Sequence, residues 1–259
     1  MKEKLYTIPL MDAYRAGEEC PFCYIQRELE QHAMDFTLGS GASYMEDDIR
    51  AQTDEKGFCR EHYRQMFAYG NRLGTALILE THLKKVSKNL QEQMDHFSAG
   101  RKGSFLDRFK KNPAHAGEDA VNNVSAYIRA GQCSCFICEQ ISENYERYLV
   151  TFIDLFKKQD PDFIRLVEDA KGYCLPHFGD LLTCADKNLN ENEQKKLREI
   201  IFPQMQAGLE KLIGDVEWFQ NKFDYRFKDA PWKDSQDAVQ RGMQKLGSGY
   251  PADPPYIQK

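Results

Sequence analysis

The sequence predicts an all-α protein made of two tandem, pseudo-repeated helical units, and two observations support this prediction. Apolar residues recur at helical spacing along the chain, and no convincing run alternates apolar and polar residues as a strand would. A set of three cysteines and one histidine also occurs twice, and every member is shifted by 115 residues. The first set is Cys20, Cys23, Cys59 and His62, and the second is Cys135, Cys138, Cys174 and His177.

Composition limits the class of protein. A chain of 259 residues, 41% hydrophobic and 29% charged, can hold one large globular domain or two of ordinary size. Its net charge of -5 argues against a dedicated nucleic-acid binder, which usually carries a basic excess. No stretch has the length of a membrane span, and the charged start leads into no apolar signal segment. We therefore expect a cytoplasmic protein with reduced thiols, in which metal explains the eight cysteines better than disulfides do.

Proline and glycine mark the helices of the first unit. Pro21 suits the first turn of a helix, whereas Gly17, Gly57 and Gly70 follow periodic stretches and are typical of helix ends. The predicted helices are Ile8–Ala16, Pro21–Phe36, Tyr44–Glu55, Cys59–Tyr69 and Arg72–Phe97. The last helix carries an apolar stripe that predicts one buried face, formed by Leu79, Leu83, Val86, Leu90, Met94 and Phe97.

The second half repeats this order of helices. Asp160 followed by Pro161 is a good helix start, because proline is favoured at the first helical position. The predicted helices span 136–158, 161–171, 174–186 and 191–222.

The repeat extends beyond the cysteines. Residues 47–57 align with 162–172 at the same shift and share Asp, Ile, Arg, Asp, Lys and Gly. After a slip of three residues, 105–113 align with 223–231, and both copies hold Phe, Arg, Phe, Lys and Pro in register. A disordered linker would have little reason to keep that register, so we expect both Phe/Arg segments to be ordered loops.

The repeat sets the predicted domain boundaries. The first unit covers 1–131, with a lead-in helix within 1–17, and the second unit covers 132–249. Each unit has a helix after the cysteine pair, a short helix, a C-x-x-H helix, a long helix, the Phe/Arg loop and a closing helix. The remaining segment, 250–259, is rich in proline and is expected to be an extended tail.

The repeated cysteines and histidines are typical of structural zinc sites. Zinc prefers four ligands in a tetrahedron, and thiolate and imidazole suit it. A C-x-x-C pair brings two sulfurs to one ion, and Cys and His three residues apart lie on one helix face. The pairs also stand at predicted helix starts, where unpaired N–H groups favour thiolates. We predict one closed Cys3His zinc site per unit, two zinc ions per chain, with all four ligands drawn from the same unit.

Two other chemistries stay open at these cysteines. Cys20-Pro-Phe-Cys23 is similar to the active-site turn of thioredoxin-like proteins, although that fold needs a preceding strand that the sequence does not predict. The second is an iron–sulfur cluster with Cys3His ligation. Outside the two sets, we expect Cys184 to be a buried core thiol and Cys133 to be a free thiol.

Other candidate residues have a structural and a functional interpretation. His82 is predicted to be a histidine at the edge of the long helix. Phe105 and Phe109 lie among basic residues and would suit nucleic-acid stacking, but the acidic neighbours of the second copy favour docking of the loop on the helices. No common nucleotide-binding, hydrolase or zinc-protease motif occurs, so the sequence indicates no catalytic residue.

The motifs resemble those of a family of uncharacterised bacterial proteins, a domain of unknown function common in anaerobic gut-type bacteria. The resemblance is carried by Cys20-Pro-Phe-Cys23, by Gly57-Phe-Cys59-x-x-His62, and by Lys222-Phe-Asp-Tyr-Arg226 with Pro231-Trp232 and Asp237-Ala238. It covers most of the chain. It implies a bacterial, cytoplasmic protein, and it brings no activity, substrate or catalytic residue.

The leading interpretation is a non-catalytic scaffold with structural zinc that binds a partner, a protein rather than nucleic acid or a membrane. The first alternative is an enzyme or anion binder whose site lies between the units and presents Arg108 and Arg226. The second alternative is a thiol redox or zinc sensor. The sequence specifies neither the partner nor the oligomeric state.

Overall fold

The structure, a computed structural model, describes residues 2–98 and 121–258, and within these ranges the chain is helical and contains no strand. The predicted all-α class is confirmed. The described residues form eleven α-helices and one short 3-10 helix, Ser43–Met45. The α-helices are α1 Lys2–Arg15, α2 Pro21–Leu38, α3 Asp47–Lys56, α4 Arg60–Tyr69, α5 Arg72–Asp95, α6 Asn123–Gln132, α7 Phe136–Lys158, α8 Pro161–Glu168, α9 Leu175–Asn188, α10 Glu191–Asn221 and α11 Ala238–Gly247.

Two predicted helices of the first half have different starts in the structure. α1 begins six residues before the predicted Ile8 and runs through Pro9. Its buried Leu10 and Ala13 offset the hydrogen bond that the proline removes. The helix predicted at Tyr44–Glu55 is divided, because Glu46 has an extended backbone, with φ -76° and ψ 131°, between the 3-10 helix and α3.

The apolar stripe predicted on α5 is not a buried face in the described chain. The buried positions of α5 are Gly74 and Ile78, whereas Leu83 and Phe97 are each 60% exposed. α5 has 24 residues, and the two helices that contact it most, α3 and α6, have 10 each. The neighbours therefore cover only part of the length of α5.

The chain divides by its contacts into two compact units, neither of which is one continuous stretch. The terminal unit comprises Met1–Gln31 and Ile141–Pro254, and the central unit comprises His32–Gln140 and Pro255–Lys259. The division falls within α2 and within α7. The predicted units 1–131 and 132–249 follow the sequence repeat and do not coincide with these compact units.

The terminal unit is built around an aliphatic and aromatic core. α1 packs on α8, and α11 packs on α9 and α10. The rings of Phe152 and Phe163, both fully buried, meet edge to face at 5.2 Å. Burial of each such ring contributes about 1.5–3 kcal/mol to folding. The core therefore holds α9, and with it Cys174 at its start, against the other helices of the terminal unit.

The central unit depends on a glycine beside its cysteines. The backbone N–H of Phe136 donates to the carbonyl of Gly57 at 2.9 Å and so joins the start of α7 to the loop before α4. Gly57 has φ 58° and ψ -155°, a region that only glycine occupies readily. A Cβ atom at this position would also lie 2.7 Å from Nε2 of His82. Glycine is therefore required here by both backbone conformation and space.

No described helix combines the length and the apolar character that crossing a bilayer requires. At the C-terminal end, residues 253–258 have no regular secondary structure. Asp253 forms an ion pair with Arg27 at 3.3 Å, and this contact lies within the terminal unit.

Candidate metal centres

The structure brings all eight predicted ligands together, but in a different grouping from the predicted one. Each group of four has its ligand atoms within 4.8 Å of one another. Each takes its cysteine pair from one sequence repeat and its C-x-x-H pair from the other. The terminal centre is Cys20, Cys23, Cys174 and His177, and the central centre is Cys59, His62, Cys135 and Cys138.

Helix N-termini position every ligand. Cys59 is the N-cap of α4 and Cys174 the N-cap of α9, with nearly identical backbone angles of φ -72°, ψ 166° and φ -71°, ψ 158°. Cys20 and Cys135 stand immediately before α2 and α7. The second ligand of each pair follows three residues later, in the first turn of the same helix. Two helix N-termini therefore face each centre, and their partial positive charges stabilise thiolates.

The ligand distances in the terminal centre fit a tetrahedral ion. A zinc ion with Zn–S of 2.3 Å and Zn–N of 2.0–2.1 Å places two sulfurs about 3.8 Å apart and a sulfur and a nitrogen about 3.6 Å apart. The Sγ atoms of Cys23 and Cys174 are 3.7 Å apart. Nδ1 of His177 lies 3.5 Å from Sγ of both Cys20 and Cys23, and 3.2 Å from Sγ of Cys174. These four residues therefore fit zinc with Nδ1 as the histidine ligand.

The central centre has the same geometry. The Sγ atoms of Cys59 and Cys138 are 3.9 Å apart. Nδ1 of His62 lies 3.2 Å from Sγ of Cys59, 3.2 Å from Sγ of Cys135 and 3.3 Å from Sγ of Cys138. The eight cysteines of the chain are all free thiols, so no disulfide competes with metal binding at either centre.

The two centres differ in their exposure to solvent. All four ligands of the terminal centre are buried. In the central centre His62 and Cys135 are buried, Cys59 is half-buried and Cys138 is exposed. Solvent and solutes can therefore reach the sulfur of Cys138, whereas the terminal centre is enclosed by protein.

The ligands of the terminal centre shift one another's pKa values. Burial raises the pKa of the Cys20 thiol well above its usual range. Hydrogen bonds from Cys174 and Cys20 hold the pKa of Cys23 far below its usual range. Burial opposes the charge of His177, but hydrogen bonds to the sulfurs of Cys174 and Cys23 outweigh it and raise the pKa of His177 to about 9.

Similar forces act on the central centre. Burial disfavours the Cys135 thiolate, but hydrogen bonds from His62 and from the backbone N–H of Cys138 lower the pKa of Cys135 to about 6. Burial and the neighbouring Cys135 sulfur raise the pKa of Cys138 above its usual range. A thiolate already present at neutral pH lowers the proton cost of binding a cation.

Aromatic rings enclose the terminal centre. Phe22, between the two cysteines of its motif, stacks on Tyr173 at 5.8 Å and meets the ring of His177 at 6.1 Å. Tyr145 lies 5.2 Å from the His177 ring, and the hydroxyls of Tyr14 and Tyr173 are 2.9 Å apart. These rings exclude water from the ligands and fix the imidazole orientation.

Some residues near the centres were not anticipated from the sequence. Oγ of Ser248, at the end of α11, lies 3.7 Å from Sγ of Cys23 although the two residues are 225 apart in sequence. Tyr145 is on α7 and is distant in sequence from both ligand motifs of the terminal centre. No spacing rule links such residues to a ligand motif, so only the tertiary structure reveals them.

The remaining candidates lie outside both centres. Cys133 is exposed and belongs to neither group, as expected of a free thiol. Cys184 is half-buried instead of a fully buried core thiol, because it lies on a face of α9 that borders a cavity. His82 is half-buried at the helix edge, and its Nδ1 is 2.9 Å from the carbonyl oxygen of Asp54.

The structure describes only one of the two Phe/Arg segments. Arg226 forms an ion pair with Asp224 at 2.7 Å. Phe223 is 76% exposed and Phe227 is half-buried, so the segment is only partly docked through its phenylalanines. The residues of the first copy for which a role was predicted, Phe105, Arg108 and Phe109, lie outside the described residues.

A single substitution distinguishes the two ligand groupings. Cys59→Ser removes one ligand of the central centre and should unmask Cys135 and Cys138 to N-ethylmaleimide in zinc-supplemented protein. Cys20 and Cys23 should stay protected, because their partners are intact. Peptide mass mapping after a brief alkylation measures each cysteine separately. Cys184→Ser is the control and should leave all six motif cysteines protected. Unmasking of Cys20 and Cys23 by Cys59→Ser would instead support the grouping within each sequence repeat.

Comparison with known proteins gives one result. A family model described as a family of unknown function (DUF6062) matches residues 1–253. No curated protein and no solved structure matches the chain. Since the family model covers nearly the whole chain, this protein belongs to that family of unknown function, DUF6062.

Proposed function

We propose that the protein is a non-catalytic helical scaffold held together by two structural zinc ions, one in each compact unit. The observation that carries this proposal is the composition and spacing of the two groups. Each supplies three sulfurs and one imidazole nitrogen at tetrahedral distances. Four protein ligands fill the coordination of zinc and leave no position for water or substrate, which is the pattern of structural sites.

The ligand chemistry favours zinc among the common metals. Thiolates select soft or borderline ions such as Zn2+, whereas Mg2+ and Ca2+ require oxygen ligands. An iron–sulfur cluster would use the same sulfurs but needs room for several iron and sulfide atoms. Ligand atoms that all lie within 4.8 Å of one another suit a single ion better.

The energetic role of each ion is to close a long loop. The terminal centre joins residues 151 to 157 positions apart, and the central centre joins residues 73 to 79 positions apart. Closing a loop of such length costs roughly 5 kcal/mol of chain entropy. Binding of structural zinc supplies about 10–16 kcal/mol in zinc-finger peptides, so it exceeds this cost.

Metal analysis of the purified protein tests the proposal. We expect about two zinc ions per chain by mass spectrometry and about one after Cys174→Ser, which removes a ligand of the terminal centre only. Chelation should lower the thermal midpoint, and added zinc should restore it. Cys184→Ser is the matched control and should retain two zinc ions. Protein without metal, or with iron and visible absorbance, would overturn the proposal.

We further propose that the scaffold binds a partner protein through a groove in the central unit. The groove has a volume of about 980 Å3 and runs between α5 and α6. Val86, Leu90 and Ile128 give it an apolar strip, Ile128 is 46% exposed, and charged side chains such as Asp54 and Lys85 also line it. An apolar strip between two helices, bordered by charged side chains and open among the described residues, is a packing site for the apolar face of an amphipathic helix from another protein.

A matched pair of surface variants tests the groove. Ile128→Glu places a charge in the groove, while Ile213→Glu alters an apolar residue on α10 of the terminal unit that is 57% exposed. Immobilised wild-type protein and Ile213→Glu should each retain the same partner protein, in a 1:1 ratio, from an extract of the source cells. Ile128→Glu should not retain it. Circular dichroism confirms that both variants fold. Equal retention by both variants, or no retained protein, would contradict the groove as a docking site.

Exposure of the central centre favours a second candidate, a redox-responsive zinc site. Cys138 is exposed and Cys59 half-buried, so an oxidant such as hydrogen peroxide can reach their sulfurs. Two thiolates would give two electrons to the peroxide and form a disulfide, while the peroxide takes up two protons and leaves as two waters. Loss of two ligands would release the zinc.

Stepwise oxidation separates the scaffold from the sensor. If the site responds to oxidants, dilute hydrogen peroxide should release about one zinc ion per chain from the central centre before the terminal centre loses any. A zinc indicator measures release, and peptide mapping locates the disulfide. Thiol reductant and zinc should restore the starting state. Release of zinc from both centres at once, or no release of zinc, would contradict the sensor and leave a structural role as the only proposed role of the ions.

A further inference from the structure

The terminal unit contains a lysine that is buried without a hydrogen-bond partner. Lys245, in the last turn of α11, is 1% exposed, and its Nζ atom has no partner among the described residues. Isolated burial of an ammonium group costs several kcal/mol, so such a residue requires a compensating negative charge.

Lys245 lies next to the terminal centre. Ser248 follows Lys245 by three residues, so the two lie on the same side of the end of α11. Oγ of Ser248 lies 3.7 Å from Sγ of Cys23. A Cβ atom on Gly172, two residues before the ligand Cys174, would lie 3.5 Å from Nζ of Lys245. A Cβ atom on Gly208 would lie 3.4 Å from Nζ. The absence of side chains at both glycines therefore makes room for the ammonium group beside the ligands.

The local carboxylates do not provide the missing partner. Glu19, whose charge acts on Lys245, is already bound to Arg241 at 3.2 Å. Arg241 also binds Asp215 and Asp237, at 3.0 and 2.8 Å. Burial lowers the pKa of Lys245, and the negative charges of Glu19, Cys20, Cys174 and Cys23 oppose that shift. Of the negative groups that act on Lys245, the cysteine sulfurs are thus the ones that no arginine in the described chain pairs with.

We propose that Lys245 is the counter-charge of the metal complex in the terminal centre. The proposal rests on zinc binding as inferred above. Three thiolates and one neutral imidazole around Zn2+ carry a net charge of -1, and the ligands of this centre are entirely enclosed. Lys245 neutralises that charge from outside the ligand shell. The central centre, where Cys138 is exposed, has water to solvate the same charge.

Replacement of Lys245 by methionine separates charge from packing, because methionine has a similar length and no charge. In full-length, zinc-loaded Lys245→Met, the dissociation constant of the terminal centre should rise about 10- to 100-fold, the usual effect of an outer-shell partner. Competition with graded chelators, followed by brief alkylation and peptide mapping, measures the two centres separately. Cys20, Cys23 and Cys174 should become reactive at lower chelator concentration, while Cys59, Cys135 and Cys138 should not change.

Lys222 offers a matched control in the same unit. It is also buried, but its Nζ atom donates to the carbonyls of Phe227, Lys228 and Ala230. Lys222→Met should lower the thermal midpoint with or without zinc and leave zinc affinity unchanged. Lys245→Met should leave the midpoint of the zinc-free protein the same or higher and reduce the increase that zinc produces.

Three outcomes distinguish the proposals. Wild-type protein without zinc at the terminal centre would overturn the structural zinc role itself. Zinc binding that is equally tight in wild type and Lys245→Met would overturn the counter-charge alone. Equal loss of affinity in Lys245→Met and Lys222→Met would show a general packing effect and would also overturn it.

Discussion

The convergence of helix N-termini in pairs is the constraint on which this structure depends. Four helices, α2, α4, α7 and α9, begin at a cysteine and carry a second ligand one turn later. Each centre requires two of these N-termini to meet within a few ångströms. Two positive helix ends around three sulfurs lower the cost of gathering thiolates, and the zinc ion proposed for each centre would offset the chain entropy lost in closing the loop. The remaining helices serve largely to hold these four in place, as the core on α7, α8 and α9 does for the terminal centre.

The eight ligands could be predicted from the sequence because each pair is a local motif. Cysteines three residues apart, or a cysteine and a histidine three residues apart, share one face of a helical turn whatever the tertiary structure. Helix starts were likewise predictable where proline marks them, as at Pro21 and Pro161. The grouping of the pairs was not predictable. Because both cysteine pairs and both C-x-x-H pairs recur at the same shift of 115 residues, either pairing gives two sets with the same ligand types. Only contacts between distant segments, such as Phe22 on Tyr173 and Phe136 on Gly57, select one of them.

The residues that surround each centre also could not be predicted from the sequence. They give two centres with the same ligand types different exposure to solvent. The terminal centre has Phe22, Tyr145 and Tyr173 around its ligands, and burial excludes water from them. In the central centre Cys138 is exposed, and Cys59 lines the groove. An enclosed anionic complex needs a fixed cation, whereas an exposed one is solvated by water and open to reagents. The difference in burial is therefore sufficient to assign different chemical behaviour to duplicated ligand sets.

The crosswise grouping gives the two centres different costs of loop closure. The central centre lies within residues 59–138, and the terminal centre closes only when residues 174–177 meet residues 20–23. In sequence, the central centre is nested inside the loop that the terminal centre closes. Contacts of lower sequence separation form at a smaller entropic cost, so the central ligands can gather before the terminal ones. Each half of the repeat is incomplete by itself in such an arrangement, since neither half contains four ligands of one centre. Loss of residues 1–131 or of residues 132–249 would therefore leave two ligands of each centre without partners.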